Sequence, residues 1–172
     1  VNDAIAQIKG HGGLADAVKA GDLNAVRTKL DKGGSPNTAR DYAGDEYSLL
    51  AIAIDKGHIA VVELLLDRGA DPNRGLTNQR YSPLMWAAHK GAAEAVKLLI
   101  AKGADVGFVS SYHDNTALQI AAFEGHVAIV RALLSGGADV NQETGDGKTA
   151  LSAARAGERD EVAAILRQAG AK

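Results

Sequence analysis

"LLLDRGADPN", residues 64–73, closes an apolar run with a glycine, an acid, a proline and an asparagine. The wording returns as "LLIAKGADVG" at residues 98–107 and as "RALLSGGADVN" at residues 131–141. Gly69, Gly103 and Gly137 lie 34 residues apart, and Gly57, Gly91 and Gly125 keep that interval. A third series runs in register with both: Ser48, Ser82, Thr116 and Thr149 open "SLLAIA", "SPLMWAA", "TALQIAA" and "TALSAA". A fixed period of this length marks a repeat array, in which each unit buries its faces on its neighbours. A degenerate copy, "LADAVKAGDLNAVRTKLDKGGSPN" from Leu14 to Asn37, aligns at Gly21 and Gly33. Five copies result, at about 14–37, 41–73, 74–107, 108–141 and 142–172.

Each copy predicts two short helices. The Ser or Thr is an N-cap, whose hydroxyl accepts a backbone N–H left unpaired in the first turn, and Pro83 sits where a missing N–H costs nothing. Ala87 with Ala88, and Ala121 with Ala122, leave room for a neighbouring helix to approach closely. Gly57, Gly91 and Gly125 end the first helix where a positive φ is required. The second helix, as in "IAVVELLLDRG" and "VAIVRALLSGG", is apolar over more than half its circumference and so must be buried on two sides. The glycine of "GAD" stops it, and the Asp and Asn that follow favour a turn into an extended segment.

These residues resemble the ankyrin repeat, with its 33-residue unit and T-P-L-H-x-A signature, over essentially the whole chain from Leu14 to Lys172. The resemblance implies an all-α solenoid of stacked antiparallel helix pairs, with β-hairpin-like fingers projecting at about a right angle and an overall curved L shape. The chain departs from the family at the histidine after the leucine, which is Ala51, Met85, Gln119 and Ser152 here, so that its usual hydrogen bond is expected to be absent. The last copy also has Glu158 where earlier copies have glycine, with Gly157 one place early. Polar substitutions at both ends, Thr28 and Lys29 for Leu64 and Leu65, and Arg167 for Leu66, are expected to mark terminal capping repeats. Residues 1–13, "VNDAIAQIKGHGG", are expected to form a short extra helix or a mobile tail, with the ordered body starting at about Leu14.

Composition narrows the function classes. A chain of 172 residues with a formal charge of -2 and interspersed acids and bases has no electrostatic footprint for nucleic acid or an anionic membrane. No stretch approaches the roughly 20 apolar residues needed to span a bilayer, so a soluble protein is expected. Without cysteine there is no disulfide framework and no thiolate metal site. The start at Val1 fits either removal of an export signal or trimming, and leaves cytoplasmic and exported locations equally open.

Candidate chemistry is sparse. "GDGKTAL", residues 145–151, contains the Gly-Lys-Thr of a phosphate-binding loop, but Gln142 stands where that motif needs another glycine, and the repeat register makes the stretch a finger turn before the N-cap Thr149. His58 and His126 share one repeat position, which argues for a structural role, while His11, His89 and His113 lack any spacing that puts two ligands on one helical face. Acid pairs such as Asp160 and Glu161 read as solvated helix surface. No nucleophile motif is present. The expectation is no catalytic residue, no metal and no cofactor, hence no enzyme.

Function is then expected to lie on the surface. All seven aromatics fall between Tyr42 and Phe123, and Tyr42, Tyr47, Tyr81, Phe108 and Tyr112 map to fingers. Large aromatics tend to anchor interfaces. The alternative is that some of them only pack finger against finger. Trp86, on a first helix, is expected to pack between repeats. Counted from the closing Asn to the next cap, the fingers differ: 8 residues from Asn141 to Thr149, 9 from Asn73 to Ser82, and 11 from Asn37 to Ser48. The enlarged finger, "TARDYAGDEY", is expected to reach a partner, because an insertion at an exposed tip does nothing for stacking. The predicted partner-binding set is Tyr42, Asp45, Tyr47, Asp55, Lys56, Gln79, Arg80, Tyr81, His89, Lys90, Tyr112, His113, Phe123 and Glu124. A protein-binding module, with inhibitor or accessory of an enzyme as its finer role, is the favoured reading, with a protein partner, no nucleic acid, no membrane, and a monomer when unbound. An architectural tether is the second reading and an enzyme with an unrecognised site the third.

Overall fold

The computed structural model describes residues 13–42, 45–75, 81–111, 114–145 and 147–172, with the backbone alone for 39–42, 45 and 46. The expectation for residues 1–13 falls outside this set except for Gly13.

Ten helices occur among the described residues, in five pairs. The first helices are α1 (Leu14–Ala20), α3 (Leu49–Asp55), α5 (Pro83–His89), α7 (Ala117–Glu124) and α9 (Ala150–Ala156). The second helices are α2 (Leu23–Asp31), α4 (Ile59–Asp67), α6 (Ala93–Ala101), α8 (Val127–Ser135) and α10 (Asp160–Gln168). Each first helix packs on its own second helix and on the next first helix, and the second helices stack in the same way. The predicted caps start the first helices. The hydroxyls of Ser48, Ser82, Thr116 and Thr149 each accept from the N–H three residues on, all at 3.2 Å.

The core is a continuous two-layer seam. Leu49, Leu84, Ala87, Ala88, Ala121 and Ala122 are buried on the first helices, and Leu65, Val96, Leu99, Val130 and Leu133 on the second helices. The alanine pairs allow the close approach of first helices that the sequence implies. At the two ends, Thr28 and Arg167 are exposed and Lys29 is half-buried, where the second repeat buries Leu64, Leu65 and Leu66.

Glycines end the helices as predicted, and the last repeat explains its own exception. Gly125 closes α7 at φ 84°, whereas in the fifth repeat Glu158 takes the left-handed φ of 58°. Gly157 stands one place earlier because a Cβ there would run into the carbonyl of Phe123. The chain gives up the residue best suited to positive φ in order to admit the neighbouring backbone.

The enlarged second finger is a β-hairpin, with β1 (Ala39–Tyr42) antiparallel to β2 (Asp45–Ser48) and Ala39 opposite Ser48. Successive repeats are also clamped by asparagines. Asn37 donates to the Gly69 carbonyl at 3.0 Å and accepts from the Asp71 N–H at 2.7 Å. Asn73 makes the same pair with Gly103 and Asp105, at 3.3 and 2.7 Å, and Asn141 with Gly170 and Lys172, both at 3.1 Å. Gly107 occupies this position in the remaining repeat and has no side chain to offer, though its carbonyl accepts from Gln142 at 3.0 Å.

His58 and His126 serve the stack. The His58 Nε2 lies 3.1 Å from the Lys19 carbonyl oxygen, and its ring covers Gly21. The His126 ring covers Gly91 in the same way. In the fifth repeat Arg159 takes over, lying against Gly125 and donating to the Phe123 carbonyl at 3.0 Å.

At two of the positions that lack the family histidine the side chain still bonds back to the N-cap: Ser152 accepts from the Thr149 N–H at 2.9 Å, and Gln119 bonds in both directions. Gln119 accepts from the Thr116 N–H at 2.9 Å and donates to the Lys148 carbonyl at 2.7 Å, tying α7 to the next finger. The "GDGKT" stretch is that finger: Thr144 N–H donates to the Lys148 carbonyl at 3.1 Å, and Thr149 caps α9.

Candidate interaction surface

The finger-facing side of each first helix follows from helical spacing. Residues three apart share a face, and two rows result across the stack. One runs Asp16, Ile52, Trp86, Ile120 and Ala153; the other runs Lys19, Asp55, His89, Phe123 and Ala156. Side chains are charged at the start of this strip, aromatic in the middle and small at the end.

Two hollows open along it. The larger, of about 610 Å³, lies between the third and fifth repeats, with Ile120, Phe123, Ala153 and Ala156 on its apolar side and Tyr81 and Glu124 at its edge. Phe123 is 49 % exposed and is the large hydrophobic side chain most open to solvent among the described residues. The smaller hollow, of about 220 Å³, lies between the first and third repeats and is lined by Lys19, Tyr47, Asp55, Lys56, Trp86 and Lys90.

Trp86 packs against the core, as expected, and also lines the smaller of the two. It is half-buried at the centre of the strip, edge-on to Tyr81 with ring centroids 6.1 Å apart. The Lys90 ammonium stands 4.9 Å from its ring centroid, a cation–π contact. Its indole Nε1 is buried and has no hydrogen-bond partner among the described residues. The third position of the helical row carried the signal: Trp86 is three residues before His89, itself assigned to the surface.

The charges predicted to face a partner also pair with one another. Asp55 bridges Lys56 at 2.9 Å and Lys90, one repeat away, at 2.8 Å. The hydrogen bond from Lys90 holds the Asp55 carboxyl below the usual carboxylate range; partial burial opposes this and Lys56 adds to it. His89 Nδ1 lies 3.3 Å from Glu124, again across a repeat. Burial, and then the charge of Glu124, raise the pKa of the Tyr81 phenol.

The strip thus brings together eight of the predicted residues: Tyr47, Asp55, Lys56 and Lys90 at the smaller hollow, and Tyr81, His89, Phe123 and Glu124 at the larger. Tyr42 and Asp45 lie on the paired strands of the hairpin. Gln79, Arg80, Tyr112 and His113 lie outside the described residues. Tyr47, Tyr81 and Phe108 are half-buried against the core, so the finger aromatics do pack as well as face outward. Sequence reasoning missed Trp86, Lys19 and the small pair Ala153 and Ala156. Among the described residues no helix is long and apolar enough to cross a membrane, and no three His, Asp or Glu side chains gather in a metal-binding group.

Comparison with known proteins agrees with this architecture. The sequence model for ankyrin repeats (3 copies) matches residues 14–110 and, again, residues 107–172. The chain is also similar to a 2-5A-dependent ribonuclease of Mus musculus, 38 % identical over 65 residues. That stretch is 38 % of this chain and 9 % of the ribonuclease, so the likeness concerns a small part of that protein.

Proposed function

Because this chain belongs to the ankyrin repeat family, a family of protein–protein interaction modules, we propose that it holds a partner protein against the strip of fingers and first helices. It does so as a non-enzymatic element, an inhibitor or accessory of an enzyme. The observation that carries this is Phe123, half-exposed beside an apolar hollow on a rigid stack. An aromatic placed there gains nothing for folding by being in water, whereas a partner that covers it removes its apolar area from solvent. Tyr81, His89 and Glu124 border the same hollow, so one partner surface touches residues from the third and fourth repeats together.

The test is a pair of measurements on Phe123→Ala. A partner is isolated on the immobilised protein from the source lysate and identified by mass spectrometry, and calorimetry then gives its affinity. Affinity should fall by about 2 kcal/mol or more, while the melting temperature of the free protein stays near that of the wild type. A sharp fall in melting temperature with unchanged affinity per folded molecule would assign Phe123 to the core and move the binding surface elsewhere.

A further inference from the structure

We propose, resting on the strip as the binding surface, that Gln119 is the positioning residue of the larger hollow. Its amide holds the finger of residues 142–148 in place as one wall, so that the recess beside Phe123 stands ready before a partner arrives.

That finger has no apolar means of staying where it is. From Glu143 to Lys148 the sequence reads "ETGDGK", without one side chain that hydrophobic burial could hold. Among the described residues of this stretch only Thr144 is buried. Glycine at 145 and at 147, the latter at φ 73°, adds backbone freedom. The finger's own bonds run from the Thr144 N–H to the Lys148 carbonyl at 3.1 Å and from the Gly147 N–H to the Thr144 carbonyl at 2.6 Å. They shape the turn without tying it to the helices.

Gln119 supplies the tie. Three finger oxygens face its amide nitrogen: the Lys148 carbonyl at 2.7 Å, the Thr144 hydroxyl at 3.3 Å and the Gln142 carbonyl at 3.5 Å. Its amide oxygen accepts from the Thr116 N–H at 2.9 Å, which sets the direction of the donor end. An amide can accept at one atom and offer two hydrogens at the other. At the equivalent positions Ala51 and Met85 have no such group, and Ser152 turns back to its own cap residue, Thr149. Gln142 extends the tie backward by donating to the Gly107 carbonyl at 3.0 Å, and at the tip Gly145 leaves room for the Asp114 carboxylate of the preceding finger.

The hollow opens where the finger is held. Lys148 lines it together with Asn115, Phe123 and Ala153. Gln119 is 3 % exposed, so it offers a partner almost no surface of its own and acts through the finger. The wall formed by Phe123 is pinned from the fifth repeat as well, since Arg159 Nε donates to the Phe123 carbonyl at 3.0 Å and Gly157 packs against the same carbonyl. A recess whose walls are fixed in the free protein spares its partner the entropy of ordering them.

The chief variant is Gln119→Met, which keeps the side-chain volume and repeats what the third repeat carries at this position. The probes are short peptides selected on the full chain from a random phage-displayed library, resynthesised, and retained where Phe123→Ala weakens them. Gln119→Met should weaken these peptides at least about fivefold per folded molecule. Amide exchange at Thr144 and Gly147 should quicken, while the amides of α8 keep their protection. Gln119→Glu keeps the acceptor for Thr116 but, when ionised, turns a carboxylate toward the finger oxygens; protonated, it donates to them again. Its affinity should match that of the wild type in acid and fall behind as pH rises, both proteins being measured side by side.

A lower melting temperature with unchanged affinity per folded molecule in both variants would overturn the proposal and confine Gln119 to folding, while the Phe123-sensitive peptides would keep the strip in place. Reduced affinity with unaltered exchange in the finger would also overturn it, by making Gln119 a contact residue. A library that yields no peptide sensitive to Phe123→Ala would overturn the strip and this inference together.

Discussion

The imidazole of His126 lies over Gly91 so closely that a Cβ added to the glycine would stand 3.0 Å from the ring. One repeat earlier Gly57 has the same left-handed φ, 71° against 70°, but Ala92 replaces the histidine and nothing lies within 4 Å. The two glycines therefore separate backbone strain from contact. Gly57→Ala should cost about 1–2 kcal/mol, the strain of a left-handed alanine. Gly91→Ala should cost more, and the excess should vanish in the background of His126→Ala. Equal costs in urea unfolding would show that the ring yields freely.

His58 belongs to the same series but adds a hydrogen bond to the Lys19 carbonyl. His58→Ala should lower stability by about 1 kcal/mol. Partner affinity per folded molecule should be unchanged. Lost binding with unaltered melting would move this histidine to the binding surface.

Gly107 offers a gain. It interrupts the asparagine series, its φ is not left-handed, and a Cβ there meets nothing closer than 3.6 Å. Gly107→Asn should place an amide against the Gly137 carbonyl and the Asp139 N–H, as Asn73 does against Gly103 and Asp105. A stabilisation of about 0.5–1.5 kcal/mol is expected, measurable as a raised midpoint in urea. Asn73→Ala should shift the midpoint the other way by at least as much.

Asp55 sets a pH dependence. Its carboxyl is held below its ordinary range in the folded state, chiefly by Lys90, so folding favours the charged form. The resulting stability is present above the ordinary aspartate pKa and is lost as pH falls through the depressed folded value. Asp55→Asn should be less stable than wild type near neutrality, by less than about 1 kcal/mol for so accessible a pair. The difference should close on acidification, and a gap that persists in acid would locate the effect in packing.

Leu65 is fully buried in α4, a helix that packs on the second helices of both neighbouring repeats. Leu65→Ala should destabilise by about 2–5 kcal/mol through the cavity it leaves. An unmoved melting curve would contradict the register of the whole array.

The register was legible because helix ends and caps depend on local residue chemistry: Ser48 and Thr149 cap whatever follows them, and Gly125 permits a φ that few residues adopt. What lay between repeats was harder to see. Asn37 and Gln119 reach partners 23 to 34 residues away, and no local pattern says which carbonyl a side-chain amide will meet. Trp86 was half legible for a related reason: its packing against the core was expected, its place at the smaller hollow was not. Its neighbours Met85 and Ala87 are fully buried, and no local pattern says that a half-buried indole between them also lines a hollow with Lys19, Asp55 and Lys90. The paired charges of Asp55, Lys90, His89 and Glu124 likewise belong to the spacing between repeats, which sequence reports as alternation alone.

The side-chain clamps from one repeat to the next bridge short stretches of chain, from 23 residues between Gln119 and Gln142 to 39 between His58 and Lys19. Such a topology demands little loop closure before a contact is rewarded, which favours fast folding. During synthesis, a newly emerged helix pair finds its packing face already completed by the pair made just before it. Docking of one layer on the last is then the elementary event of assembly, and the ribosome's own direction supplies its order.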